Sequence, residues 1–150
     1  ENIDVFEKNM ALNPKYKDNI HLIRNAVSDE SGKTLKFHPN GPGTNCIDQN
    51  DAYIYTLQTQ TMTIDDLVET RQIKKVDFIK MDIEGSEENA LKGAINTIRK
   101  FKPKLAICAY HKDDDLIVLP QLIKQIFPEY KLYLKHNTIS RNETVIYAGV

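Results

Sequence analysis

Three carboxylates crowd the stretch Met81-Asp82-Ile83-Glu84-Gly85-Ser86-Glu87. Asp82 and Glu84, two positions apart, fall on one face of an extended backbone. Carboxylates this close raise one another's pKa, which suits a general base, and they equally suit a cationic or hydroxyl-bearing ligand. Glu87 reads as a residue in the first turn of a helix, where the helix dipole already explains an acid. His111 closes a later apolar run and stands beside Asp82 if the two runs are neighbouring strands. An imidazole there serves as base, hydrogen-bond donor or metal ligand. A lone histidine at a strand end is more often structural, and the nearby carboxylates are what tilt His111 toward function. His136, after a further strand, is a weaker partner. Lys80 sits among apolar residues and needs a counter-charge or a path to solvent. Ser28 and Asp29 end an earlier run, where they touch a ligand from the other flank or simply make a turn. Asp82, Glu84, His111 and His136 together offer donors for a divalent ion, but no pair has a recognised ligand spacing, so no bound metal is expected. There is no Gly-rich phosphate loop, no Gly-x-Ser-x-Gly, no Cys–His pair and no zinc framework.

The elements that must position these residues follow from the apolar pattern. Val76, Phe78, Ile79, Met81 and Ile83 predict a strand buried on both faces. Gly85 permits a sharp turn, Ser86 is a good N-cap, and Ala90, Leu91, Ala94, Ile95 and Ile98 keep one face of a following helix apolar. A strand that delivers carboxylates to its C-terminal end and then turns into a helix is where open α/β sheets bind ligands. Earlier in the chain, Ile3, Phe6 and Met10 predict a helix stopped by Asn13-Pro14. Residues 19–27 predict a strand, Thr34 to Phe37 a short exposed one, 39–51 a surface loop, and Tyr53 to Met62 a second peripheral strand. Thr63 caps a helix running to about Thr70. Later, Lys104 to Tyr110 predicts another buried strand, and Leu119, Leu122, Ile123, Ile126 and Phe127 a helix with Pro120 in its first turn. Tyr130 to Lys135 and Thr144 to Ala148 predict an antiparallel hairpin at a sheet edge. Strands alternating with helices imply an α/β domain with a mostly parallel sheet.

Length and charge narrow the classes. At 150 residues the chain is one domain, with 41% apolar and 27% charged residues. Twenty basic against 21 acidic residues give a net charge of -1, which offers no field for nucleic acid or an anionic membrane. No apolar run approaches a bilayer span and the first residues lack secretory character. The two cysteines, Cys46 and Cys108, form no metal spacing, and a reduced cytoplasmic protein is the simpler reading.

Phe78-Ile79-Lys80-Met81-Asp82-Ile83-Glu84-Gly85-Ser86-Glu87 with Leu91-Lys92-Gly93-Ala94 resembles the FkbM family of S-adenosylmethionine-dependent methyltransferases. Thr63-Ile64-Asp65-Asp66-Leu67, Lys102-Pro103, the run ending at His111, and Tyr130 to Leu134 through Glu143-Thr144-Val145 are similar to the same family in the same order. So are Phe6 to Asn9, Leu12-Asn13 and Asn25 to Ser28. The resemblance covers essentially the whole chain. It implies a Rossmann-like methyltransferase sheet and methyl transfer to an oxygen of a hydroxyl-bearing small-molecule or sugar acceptor. On that implication Asp82 or His111 is the base, Glu84 supports it or binds the acceptor, Asp82 also borders the cofactor, and Ser28 and Asp29 lie toward the adenine.

The resemblance also implies a Gly-rich turn after a first strand and an acid after a second, both ahead of the opening helix, and neither is in these residues. The expectation is therefore a partial domain lacking its first two strands. Strand 19–27 is then left unpaired, with an open edge that is covered, pairs with another chain or is left unstable. Two rivals remain at this stage: a non-catalytic α/β module that binds a partner or dimerises, and a metal-dependent hydrolase or phosphotransferase built on Asp82, Glu84 and His111.

Overall fold

The computed structural model describes residues 2–37, 57–139 and 142–150. The expected loop 39–51 and the beginning of the expected strand 53–62 lie outside them. Helix α1 (Asn2–Leu12) ends before Pro14, which opens a 3-10 helix, Pro14–Asn19. Strands β1 (Ala26–Val27), β2 (Thr34–Phe37) and β3 (Leu57–Met62) form a three-stranded sheet in the order β1-β3-β2. Helix α2 (Ile64–Thr70) leads to β4 (Phe78–Met81), α3 (Glu87–Lys92), α4 (Ile95–Phe101), β5 (Lys104–Cys108), α5 (Asp115–Ile126), β6 (Lys131–His136) and β7 (Thr144–Gly149). These four later strands make a mixed sheet in the order β4-β5-β7-β6.

β4 and β5 are parallel, as expected of strands joined through helices, but β7 runs antiparallel between β5 and β6, so this sheet is mixed rather than mostly parallel. The expected hairpin is present, with its second strand inside the sheet and its first at the edge. Ile79, Met81, Leu105, Ile107, Ile146 and Ala148 point to one face of the sheet. There they meet Ala90, Leu91, Ala94, Ile98, Leu119 and Ile123 of the three helices. This is the apolar core, and burial of these side chains is what holds β4 and β5 in register.

Several expectations are corrected. β4 is not buried on both faces: Phe78 is 56% exposed and Lys80 is also exposed, because no described helix covers the outer face. The strand expected over 19–27 shrinks to Ala26–Val27, since Ile20 and Leu22 remain exposed and find no apolar surface among the described residues to alternate against. Nor is it unpaired, for β1 runs parallel to β3 with Ala26 opposite Thr61. The single helix expected after Ser86 is two, broken at Gly93-Ala94. A Cβ on Gly93 would stand 2.1 Å from the Ser28 carbonyl oxygen, so the break is where the helix layer and the turn after β1 touch. Pro120 lies inside α5 rather than in its first turn, because the helix begins at Asp115.

The caps divide similarly. Thr63 caps α2 as expected, its hydroxyl accepting the Asp66 amide at 2.9 Å. Ser86 makes no side-chain cap bond. Asp65, inside α2, does that work for α4, accepting the Asn96 and Thr97 amides at 3.0 and 2.7 Å. No helix among the described residues is long and apolar enough to cross a membrane.

Candidate active site

Asp82 follows β4 directly, and the register that pairs Met81 with Ile107 sets it level with Cys108 on the outer face of the sheet. Its carboxylate accepts the Tyr110 hydroxyl at 3.0 Å and the Lys80 ammonium at 3.2 Å, and the Cys108 thiol also donates to it. Burial pushes the pKa of Asp82 up, but these three donors outweigh it and hold the carboxyl below its ordinary value. Burial first, and then the Asp82 charge, push the Cys108 thiol up to about 12 and raise the Tyr110 phenol as well. Lys80 thus finds the partner its setting requires.

The turn after Asp82 is built from two consecutive left-handed residues, Glu84 at φ 55° and Gly85 at φ 89°. Alternation along the strand therefore stops before Glu84, and it is the turn that brings Glu84 back toward the site. A non-glycine residue in that region costs on the order of 1 kcal/mol or more, a strain typical of functional sites. Glu87, 1% exposed, folds back so that one carboxylate oxygen accepts the Ile83 amide at 2.9 Å. The helix dipole is thus a lesser part of its role than the sequence implies.

His111 stands in the middle. Its Nε2 is 3.5 Å from Asp82 and 3.6 Å from Glu84, and its Nδ1 is 3.1 Å from Glu87. The side chain is 9% exposed and lies against the Tyr110 ring at a centroid distance of 4.1 Å. Asp115, the first residue of α5, accepts the His111 and Lys112 amides at 3.0 and 2.8 Å, which fixes the loop that carries the imidazole. Tyr110, Cys108 and Asp115 escape a reading of the sequence. The first two would be found by assuming the β4–β5 register, since alternation then places both beside Asp82.

Other candidates stay apart. His136 pairs with the Thr144 hydroxyl across β6 and β7 at 2.8 Å, and no described contact joins it to the carboxylates. Ser28 is buried with its hydroxyl on the Asp29 carboxylate at 3.0 Å and its amide on Met62. No described contact links either residue to His111. A hollow of about 540 Å³ between α2 and α4, lined by residues such as Val68, Ile73 and Phe101, contains none of these groups; the crowded titratable chemistry lies elsewhere.

The model of the methyltransferase FkbM domain matches residues 1–137. This chain belongs to the FkbM methyltransferase family. The FkbM chain is similar to hexuronic acid methyltransferase AglP of Haloferax volcanii, 24% identical over 148 residues, covering 97% of this chain and 57% of that protein. It also resembles the crystal structure of methyltransferase FkbM from Methylobacillus flagellatus KT, with a TM-score of 0.68 and 31% identity over 95% of this chain and 33% of that one. It therefore spans just over half the length of the curated relative and a third of the solved structure. Its α/β architecture with mixed sheets is that of an FkbM methyltransferase.

Proposed function

We propose that this FkbM domain serves S-adenosylmethionine-dependent methyl transfer to an oxygen of a hydroxyl-bearing acceptor such as a sugar acid. The observation that carries the reading is His111, held by a fixed loop among Asp82, Glu84 and Glu87 at the C-terminal ends of two parallel strands, in a chain of a methyltransferase family. A methyltransferase for hexuronic acid among its relatives supports an oxygen-rich acceptor.

The residues present fit the cofactor in part. A cluster of carboxylates suits the positive sulfonium end, whereas Ser28 already spends its hydroxyl on Asp29 and offers little to an adenosine. The cofactor, when bound, supplies an electrophilic methyl group. The residues of this chain have the other half of the task, which is to hold the acceptor oxygen and take its proton. Asp82, with three donors on its carboxylate, is the weaker base and orients its neighbours. Glu84 and His111, 3.6 Å apart, are the adjoining seats for the proton, and positioning supplies much of the rate.

The reading calls for strands between β1 and β4 to complete the sheet and carry the adenosine-binding turn. In support, β1 pairs with β3 alone and β4 with β5 alone among the described residues, and the relatives are much longer. Calorimetric titration of S-adenosylhomocysteine into the full-length natural protein and into these 150 residues tests it. Binding to the longer protein is expected, with binding to the shorter weak or nil. Binding to neither overturns the reading and favours the partner-binding module.

A further inference from the structure

Glu87 and His111 present an unsettled charge balance. Glu87 is 1% exposed, and among the described residues one of its oxygens and both ring nitrogens of His111 have no hydrogen-bond partner. The 3.1 Å approach of Nδ1 to Glu87 is a charge-pair distance without hydrogen-bond alignment. Buried carboxylates and imidazoles in this state are destabilising unless something compensates them. Among the described residues, Lys80 meets one of the three carboxylates, Asp82, at 3.2 Å. An acceptor oxygen losing its proton here would add another negative charge to the cluster.

We propose that Asp82, Glu87 and His111 bind one divalent cation. They come from the end of β4, the start of α3 and the loop after β5, and one ligand atom from each lies within 4.8 Å of the other two. The sequence already set Asp82 and His111 beside Glu84 as possible donors; what folding changes is the third ligand, which is Glu87 rather than Glu84. Two carboxylate oxygens and one imidazole nitrogen suit a first-row ion of the Mn²⁺ or Zn²⁺ kind better than Ca²⁺, whose ligands are all oxygens. The Asp82 carboxylate is oriented by the Lys80 ammonium at 3.2 Å and the Tyr110 hydroxyl at 3.0 Å. The Asp115 carboxylate, on the amides of His111 and Lys112, fixes the loop that aims the ring.

The site stands independently of the proposed activity; its use in transfer rests on that reading. There the ion gives the acceptor's oxygen atoms a positive partner and makes its hydroxyl more acidic. The imidazole lone pair is then engaged, and Glu84, outside the triad and 42% exposed, is the seat that takes the proton.

The test is a Mn²⁺ titration of the chelator-treated full-length protein, followed by loss of the free-ion signal in electron paramagnetic resonance. One ion per chain is expected. Asp82→Asn and His111→Asn should each weaken it by at least about tenfold, the lower end of what even an outer-shell change costs. Glu84→Gln should retain the ion while losing transfer. Circular dichroism confirms that each variant is folded, and Asp82, partly exposed, is the substitution least prone to disturb the core. Absence of bound Mn²⁺ and of Zn²⁺, or an affinity unmoved by Asp82→Asn, overturns the cation site. Methyl transfer that persists without metal then leaves the activity standing with His111 as base. Metal binding without any cofactor binding to the full-length protein defeats the methyltransferase reading alone.

Discussion

Asp82 joins three side chains, Lys80, Tyr110 and Cys108, that reach it from two strands, and the consequence is measurable at the thiol. Cys108 lies under the sheet surface beside a carboxylate that stays charged, and its pKa rises from 9.0 to about 12. At pH 8 the thiolate fraction is then about a thousandfold below that of an unperturbed thiol. With Cys46 replaced by serine, iodoacetamide should label the native protein far more slowly than a model thiol and the unfolded chain at the ordinary rate. Fast native labelling would contradict the buried, Asp82-facing placement. The sign of the linkage follows. A thiol protonated more tightly in the folded state stabilises the fold below pH 9, and that contribution fades as pH rises from 9 toward 12.

At the scale of the element, two glycines flank α3 for different reasons. Gly85 needs its left-handed backbone at φ 89°, while an added Cβ would meet the Lys112 side chain at an ordinary 3.4 Å. Gly93 has no such torsion, but its Cβ would strike the Ser28 carbonyl oxygen at 2.1 Å. Gly85→Ala should therefore cost about 1–2 kcal/mol from backbone strain. Gly93→Ala should cost about 3 kcal/mol or more, since a main-chain oxygen cannot step aside. Thermal melts of the two variants decide it, and a Gly93→Ala protein that melts with the wild type would refute the contact. The same two positions mark what a sequence can tell. Gly85 is legible as a turn because the apolar run stops there and acids follow. Gly93 reads as a helical residue, because its reason is a segment 65 positions away. In the same way the site's carboxylates and His111 are legible from their places at strand ends, whereas Tyr110, Cys108 and Asp115 become visible only once register and loop geometry are known. Pro120 and the helix start at Asp115 were hidden likewise: what begins α5 is a carboxylate folding back onto the His111 amide.

For the whole molecule, the outer face of the four-stranded sheet carries Phe78, Tyr133 and Tyr147, all exposed, and Phe78 lies on β4, whose outer edge no described strand occupies. Such an edge invites pairing with another copy. Sedimentation velocity of the 150-residue chain should show concentration-dependent association, and Phe78→Lys, which puts a charge on that edge, should suppress it. Association unchanged by the substitution would place the contact elsewhere. The insertion of β7 between β5 and β6 carries a different consequence, one of timing. During synthesis β5 and β6 emerge while the strand that bridges them is still to come, so neither can complete its ladder. The partly made chain holds β4 and β5 beneath their helices while β6 waits as an orphan ribbon. Thr144–Gly149 then folds back on β6 as a hairpin and reaches across to β5, so the sheet is completed only once β7 has emerged.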